Sequence, residues 1–412
     1  MRIVYLFTCF PVKTETFLQR ELRAMRRCGD IEIEIWSLWR GDASWEGMKV
    51  NRYPFFAIFR VIFLKIALWT WRRPGAMRRV WSAYLAATPP GLLNIGENLL
   101  GLAFALDNAS RFRAERPDLI HAVWGTMPAA AAWLLHELTG IPFSTGAHAY
   151  DVFLRDGDWT LPRKLACARL VHTSTQSARA RLLELCPVPE KIHLIRRGIE
   201  LPLRSTFDAA TPFRFLPRRG DPGRPLRLLS VGRLVHKKGY PFQLAIYRHL
   251  RDVGEKIEAR IVGDGPLLDS LRHLITLLGL GENVSLITHL EYARMRAQYE
   301  WADLFLFTGI VAHDGDRDGL PNVIPEAMCH GVPVLTTAVS GTTEAIKDGE
   351  TGQVLGVADP VAWENAIARL RNEPAFLQRT RLAARLWTER EFDSAQNSAR
   401  LARAFHHACR AR

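Results

Sequence analysis

What most limits the folds open to this chain is a strand-then-helix rhythm that runs, breaks and runs again. RIVYLF (2–7) precedes a helical stretch near Glu15–Arg27, and IEIEIWSLW (31–39) follows it. Then come DLIHAVW, the helix PAAAAWLLHELTG, the strands IPFSTGAH and ARLVHTST, the helix QSARARLLELC and KIHLIRRG. Between Leu201 and Pro225 the pattern dissolves into LPLRSTFDAATPFRFLPRRGDPGRP. Proline fixes φ and lacks a backbone donor, so this stretch reads as a linker or irregular loop. The rhythm restarts with LRLLSVG, a helix to about Leu250, IEARIVG, a helix from about Leu267, NVSLIT, DLFLFT, a helix near Asn322, VPVLTT and TGQVLG. Strands separated by helices need crossover connections, which make parallel sheets covered by helices on both faces. The expected fold class is α/β: two doubly wound, Rossmann-like domains with a cleft between them. Ligands of such sheets bind outside the carboxyl ends of the strands. The boundaries drawn on this pattern are 1–205, a linker at 206–225, 226–385, and a helical stretch at 386–412.

Composition enters where it excludes something. The chain has 412 residues, room for two or three domains, with 48% hydrophobic and 24% charged residues, which suits a soluble globular protein. Six cysteines, at 9, 28, 167, 186, 329 and 409, form no C-x-x-C pair. That speaks against a disulfide framework and a structural zinc site, and for a reducing compartment. The first residues read as a buried strand rather than a signal peptide, because no small-residue cleavage site follows. A cytoplasmic location is expected.

The net charge of +13 is uneven: between Gly47 and Gly96 there are eight Lys or Arg and no Asp or Glu. The same segment holds YPFFAIFRVIFLKIALWTWRR, in which Arg60 and Lys65 interrupt the apolar run. That is well short of the roughly 20 residues that span a bilayer. Basic and aromatic residues interleaved in this way suit a helix lying on an anionic membrane surface, here the inner leaflet. They equally suit core-covering helices with snorkelling cations. No recognised nucleic-acid module surrounds them, so no nucleic-acid partner is expected.

Three strand ends carry chemistry. In DGDRDGLPNVIPE, Asp314, Asp316, Asp318 and Gly319 occupy the first, third, fifth and sixth places of a calcium loop. The register then fails: the twelfth place is Pro325, Glu326 arrives one residue late, and Pro321 removes an interior donor. No metal is expected there, so another polar ligand is needed. In VGRLVHKKGY, Gly232 permits close approach, Arg233 can fork two phosphate oxygens and Lys238 adds a point charge. In VGDGP, Gly263, Gly265 and Pro266 make a tight turn. The helix near Asn322 offers the N–H groups around Asn322 and Val323 to an anion. Each has a bland rival: cations near a helix start are commonly solvated, and Gly-Asp-Gly-Pro is an ordinary turn. Three together in one half of the chain outweigh it.

With PVKTETF and GAHAYD in the first half, VGRLVHKKG, VGDGP and DGLPNVIPEAMCHGVPVLTT resemble the retaining glycosyltransferases of family 4, of GT-B fold, over nearly the whole chain. DGDRDGLPN looks most like members that build bacterial exopolysaccharides of the colanic-acid type. The resemblance implies a nucleoside-diphosphate sugar as donor, no cofactor or metal, and a glycan or lipid-linked acceptor. It implies that Glu326 binds the ribose hydroxyls, Asp318 the donor sugar, Arg233 and Lys238 the diphosphate, and that His148 reaches the transferred sugar. Asp318 stands where the family usually has Glu, an arm one methylene shorter. It also implies that the C-terminal helix returns to the first domain. Positive charge would develop at the anomeric carbon while Arg233, Lys238 and the amides near Asn322 stabilise the leaving diphosphate. The leaving phosphate oxygen then serves as base, with retention of configuration.

Weaker candidates remain. Thr14 and Glu15 cap the first helix, Thr14 as N-cap, or line the cleft. Arg196 and Arg197 contact phosphate or solvent. Asp151 is read as a brace for the loop of His148. The rival functions are a non-catalytic nucleotide-binding or membrane-surface protein of the same fold, and a sugar-nucleotide epimerase.

Overall fold

The computed structural model describes residues 1–412 except 13–14, 55, 58–60, 90, 155–156, 202–215, 222, 289, 292–293, 340 and 411–412, with only the backbone at 62–63. Thr14 and most of the linker drawn at 206–225 lie outside the described residues. The chain divides into two compact units, Met1–Gly198 with Ser394–Arg412, and Ile199–Asp393.

The first unit holds β1 (Arg2–Cys9), β2 (Glu32–Arg40), β3 (Ser44–Trp45), β4 (Met48–Arg52), β5 (Leu119–Ala122), β6 (Phe143–Gly146), β7 (Leu170–Thr173) and β8 (Ile192–Leu194). They form one sheet in the order β3-β4-β2-β1-β5-β6-β7-β8. Every pairing is parallel except that of β3 with β4. β1 is central, with Tyr5 opposite Ile35 on one side and His121 on the other. Ile3 through Phe7 are buried, as a parallel strand covered on both faces requires. The β3–β4 hairpin interrupts the βα rhythm. Its turn residues, Glu46 and Gly47, both have left-handed backbone, φ 46° and 76°, as a tight hairpin needs.

The helix Thr16–Arg27 follows β1; its N-cap is Glu15, which makes no side-chain capping bond. The last helix, Ser394–Arg410, belongs to this unit. Its Leu401, Ala402, Phe405 and Ala408 share one apolar cluster with Ile3, Tyr5, Leu22 and Met25. The stretch 386–412 is therefore not one helix: Pro374–Glu391 is part of the second unit, and Phe392, fully buried there, breaks the chain before Ser394.

The basic segment forms a π-helical turn, Val61–Lys65, and the helices Ile66–Arg72 and Pro74–Leu85. One side is core, with Val61, Trp69, Met77 and Val80 buried and Trp69 Nε1 donating to the Leu106 carbonyl at 2.8 Å. The other shows Leu64, Trp71 and Leu85, each more than half exposed, beside exposed Arg72, Arg73 and Arg78. Among the described residues no helix is long and apolar enough to cross a membrane.

The second unit holds β9 (Leu226–Val231), β10 (Ile257–Val262), β11 (Val284–Ile287), β12 (Leu304–Phe307), β13 (Val334–Thr337) and β14 (Gln353–Leu355). They are all parallel, in the order β11-β10-β9-β12-β13-β14. In each unit the winding reverses once, between β1 and β5 and between β9 and β12. Chains leaving those neighbouring strand ends part in opposite directions and open a crevice.

Candidate functional site

At the β9/β12 reversal the loops VGRLVHKKG and VGDGP are zipped together through their backbones. Gly232 N–H donates to Val262 O (3.0 Å), Leu234 N–H to Asp264 O (2.9 Å) and Leu267 N–H to Leu234 O (3.0 Å). A Cβ at Gly263 would lie 1.9 Å from the Gly232 carbonyl oxygen, so only glycine allows this approach. Gly265 and Pro266 continue the turn, with Pro266 exposed.

The turn His236–Lys238 then aims two lysines at the DGDRDG loop. Lys237, which is buried, places Nζ 3.0 Å from Asp316 Oδ1 and 3.9 Å from Asp318 Oδ1. Lys238 Nζ lies 2.8 Å from Asp318 Oδ2, an ion pair without an aligned hydrogen bond, and 5.0 Å from the centre of the Phe307 ring. Asp314 Oδ1 accepts from the Asp316 N–H at 2.9 Å. The alternate carboxylates are thus engaged with two lysines and a backbone amide. Arg233 is exposed and makes no hydrogen bond or ion pair among the described residues. Tyr240 donates to Gly232 O at 3.0 Å, and burial, with Asp318 nearby, raises its phenol pKa well above the usual value.

The helix Val323–Cys329 starts at Asn322, whose Oδ1 is buried without a hydrogen-bond partner. Glu326, half-buried one turn on, is fixed by Tyr299 Oη, which donates to its Oε2 at 2.9 Å. Tyr299 in turn stacks on His330, ring centres 5.2 Å apart and planes within 9°.

At the carboxyl ends of the first sheet, His148 follows β6. Asp151 accepts three backbone N–H groups, from His148 (2.9 Å) and Ala149 (3.0 Å) on one oxygen and Gly125 (3.0 Å) on the other. It binds the loops after β5 and β6 to each other. His148 stands edge-on to His172 of β7 at 4.9 Å, and His172 lies 5.3 Å from His121 of β5. A Cβ at Gly146 would come within 2.8 Å of His148 Nε2 and 3.0 Å of His172 Nε2, so glycine makes room for both rings. Burial, and next Arg197, pulls the His121 pKa down to about 3; burial first also holds His148 and His172 well below the usual range. All three are neutral imidazoles at pH 7.

Arg197, after β8, is buried, which removes solvent exposure from its two readings. Its guanidinium carbon sits 4.0 Å from the Phe17 ring centre and 5.1 Å from that of Trp124. Arg196 instead donates to the Ser174 carbonyl at 3.3 Å. Glu15 is half-buried at the head of the first helix.

The structure thus sets Arg233, Lys238, Asp318, Gly263 and Gly265 on adjoining strand ends of the second unit, with Asn322, Val323 and Glu326 on the helix that follows. His148, Arg197 and Glu15 stand at strand ends of the first unit. Lys237, Tyr299, His121 and His172 were not singled out by the motifs. The doubled lysine was the available signal for Lys237; nothing local marks Tyr299, which reaches Glu326 from the preceding helix.

Residues 65–202 match the family model "Glycosyltransferase Family 4" and residues 215–387 "Glycosyl transferases group 1". WcaL of Salmonella typhimurium, named for colanic acid biosynthesis, is 28% identical over 89% of this chain and 90% of its own. The amylovoran biosynthesis glycosyltransferase AmsK of Erwinia amylovora is 28% identical over 95% of this chain and 96% of its own. Among solved structures, a glycosyltransferase of Rickettsia africae superposes with TM-score 0.70 at 14% identity, over 100% of this chain and 99% of that one. Anabaena HepE, solved with UDP and glucose, gives 0.69 at 16% identity over 98% and 99%. With both parts of its length matched by glycosyltransferase models and its two parallel sheets shared with such enzymes, the chain belongs to the glycosyltransferases of the GT-B fold.

Proposed function

We propose that this enzyme is a retaining family 4 glycosyltransferase. It moves a sugar from a nucleoside-diphosphate donor to a glycan or lipid-linked acceptor, in the assembly of a bacterial surface polysaccharide. The observation that carries this reading is the pairing of Lys238 with Asp318 beside exposed Arg233 at the β9/β12 reversal. It supplies cations for a diphosphate and a carboxylate for sugar hydroxyls in one place. The names of WcaL and AmsK support the polysaccharide, and the UDP and glucose of HepE support the donor class.

In the reaction, the bond between the anomeric carbon and the β-phosphate oxygen breaks. The acceptor hydroxyl bonds to the same face of that carbon and passes its proton to the departing phosphate oxygen. Arg233 and Lys238 stabilise the growing negative charge, worth about 3 kcal/mol of barrier for each well-placed donor. Asp318 holds the transferred sugar, and Glu326, fixed by Tyr299, takes the ribose hydroxyls. No divalent metal takes part.

A thermal-shift panel with uridine, guanosine and adenosine diphosphates, each with calcium and with chelator, tests this. A ligand at 100 times its dissociation constant stabilises by about 2.7 kcal/mol. One nucleotide should stabilise the protein irrespective of chelator, and Glu326→Ala should abolish the shift. A response to calcium alone, or to none of the nucleotides, would sink the reading.

The exposed Leu64, Trp71 and Leu85 beside Arg72, Arg73 and Arg78 support a further part of the proposal: this cytoplasmic enzyme works at the inner face of the membrane. Each cation near an anionic surface contributes about 1 kcal/mol. Cosedimentation with anionic vesicles should disappear on changing all three arginines to Glu; unchanged binding would refute it.

A further inference from the structure

We propose that the acceptor carries an oxyanion, a phosphate or a carboxylate, and that Arg197 is the residue that grips it. This rests on the sugar-transfer reading above and narrows the acceptor it leaves open. Among the described residues neither Nη1 nor Nη2 of Arg197 has a hydrogen-bond partner, and both are shielded from water. Glu21, Glu15 and Asp151 are near enough to favour its charge, yet none bonds to it. Both oxygens of Asp151 are already taken by backbone amides. A buried guanidinium in this condition is costly, and where only packing is needed an apolar chain of similar length serves better.

Its position supplies the reason to keep it. Phe17 comes from the helix after β1 and Trp124 from the end of β5, the two strands between which the winding reverses. Both rings are half-buried, meet edge to face at 6.2 Å, and hold the guanidinium against their faces. A planar fork of N–H donors matches two oxygens of a phosphate or carboxylate. Next to this crevice the neutral imidazole of His172 has both nitrogens unpaired, one donor and one acceptor suited to a sugar hydroxyl. An anion with hydroxyls beside it describes a sugar diphosphate on a lipid carrier, or a glycan with a uronic acid. The shared chemistry is the bidentate oxyanion.

Calorimetric titration of the full chain with inorganic pyrophosphate, and separately with glucuronate, decides the matter. It should be done in an Arg233→Gln, Lys238→Gln background, so that the donor cations do not contribute. At least one probe should bind, and Arg197→Gln should weaken it tenfold or more. Arg197→Lys, which keeps the charge but loses the fork, should weaken it less, and it carries the test if the Gln variant does not fold. Pyrophosphate binding alone points to a lipid diphosphate, glucuronate binding alone to an acidic glycan. Binding of neither probe, or binding indifferent to Arg197, overturns the proposal. The nucleoside-diphosphate shift of Arg197→Gln is read in parallel. If that shift persists while the probes fail, only the oxyanion idea falls; if the wild type shows no shift, the donor reading falls with it.

Discussion

Lys238 and Arg197 are both cations at the carboxyl ends of a doubly wound sheet, but they are kept in opposite conditions. Lys238 faces Asp318 at 2.8 Å, in a crevice lined by glycine and backbone, beside a second lysine with its own carboxylate. Arg197 lies between two aromatic rings and near three neutral histidines, with no hydrogen bond to its Nη atoms. The first arrangement is balanced before any ligand arrives; under the proposed function a diphosphate would exchange with Asp318 at small net cost and release Asp318 to the sugar. The second is unbalanced when empty. Its cost is recovered only with an anion in place, which favours selectivity over stability.

The largest effect expected from breaking this contrast is catalytic. Removing either Lys238 or Arg233 as Ala should lower donor turnover about 100-fold or more if each stabilises charge that grows in the transition state, as proposed. Steady-state kinetics with the donor found in the thermal-shift panel checks it; a loss confined to KM would mean ground-state binding only. Next comes Asp151→Ala, which strips three backbone amides of their acceptor. At about 1–3 kcal/mol per unsatisfied group, unfolding of the first unit should move down by 3 kcal/mol or more in a urea melt, with nucleotide binding by the second unit retained.

Smaller and opposite in sign is Arg197→Met, which should raise the stability of the first unit by about 1–3 kcal/mol, since it replaces an unpaired buried charge with an apolar chain. A lower melting temperature in that variant would show that the arginine is satisfied in the folded state. A separate effect, spread over a range of conditions, is on pH. His121, His148 and His172 are neutral when folded and take up protons near pH 6.5 when unfolded. Acid therefore favours the unfolded first unit, and stability should fall from pH 6.5 towards the His121 value of about 3. Glu97, raised to about 7 by burial, works the other way between its unfolded value near 4.5 and 7. The second unit has His330, lowered to about 4 by burial, and should respond less. Melts of the wild type and His121→Phe across this range should show a shallower acid slope in the variant.

Much of the architecture was legible because strand and helix periods are local. The break near residue 200, the glycine-marked strand ends and the helix at Asn322 all announce themselves within a few residues. The β3–β4 hairpin did not, because Glu46-Gly47 lacks the Asn-Gly or Asp-Gly signature that such turns favour. Asp151 was legible as a brace, three residues from His148. The roles of the paired lysines were not: which of Lys237 and Lys238 is buried depends on the loop after β12, far along the chain. Arg197 was the hardest to read. Beside Arg196 in sequence it has the same local propensities, and only Phe17 and Trp124, brought in by other strands, distinguish them. Burial is a property of the finished sheet, so a lone cation at a strand end is ambiguous until its neighbours are known.

The return of the helix Ser394–Arg410 to the first unit bears on the order of events at the ribosome. The face of β1 that carries Tyr5 packs against Phe405, their ring centres 6.3 Å apart. The strand is thus synthesised well before part of its own cover, with the whole second unit between them. At ~5–20 residues per second, the nascent chain carries that apolar surface incompletely covered for tens of seconds while the whole second unit emerges. The unit that begins first is therefore the one that finishes last. A truncation before Ser394 should leave the second unit able to fold and the first one prone to aggregate.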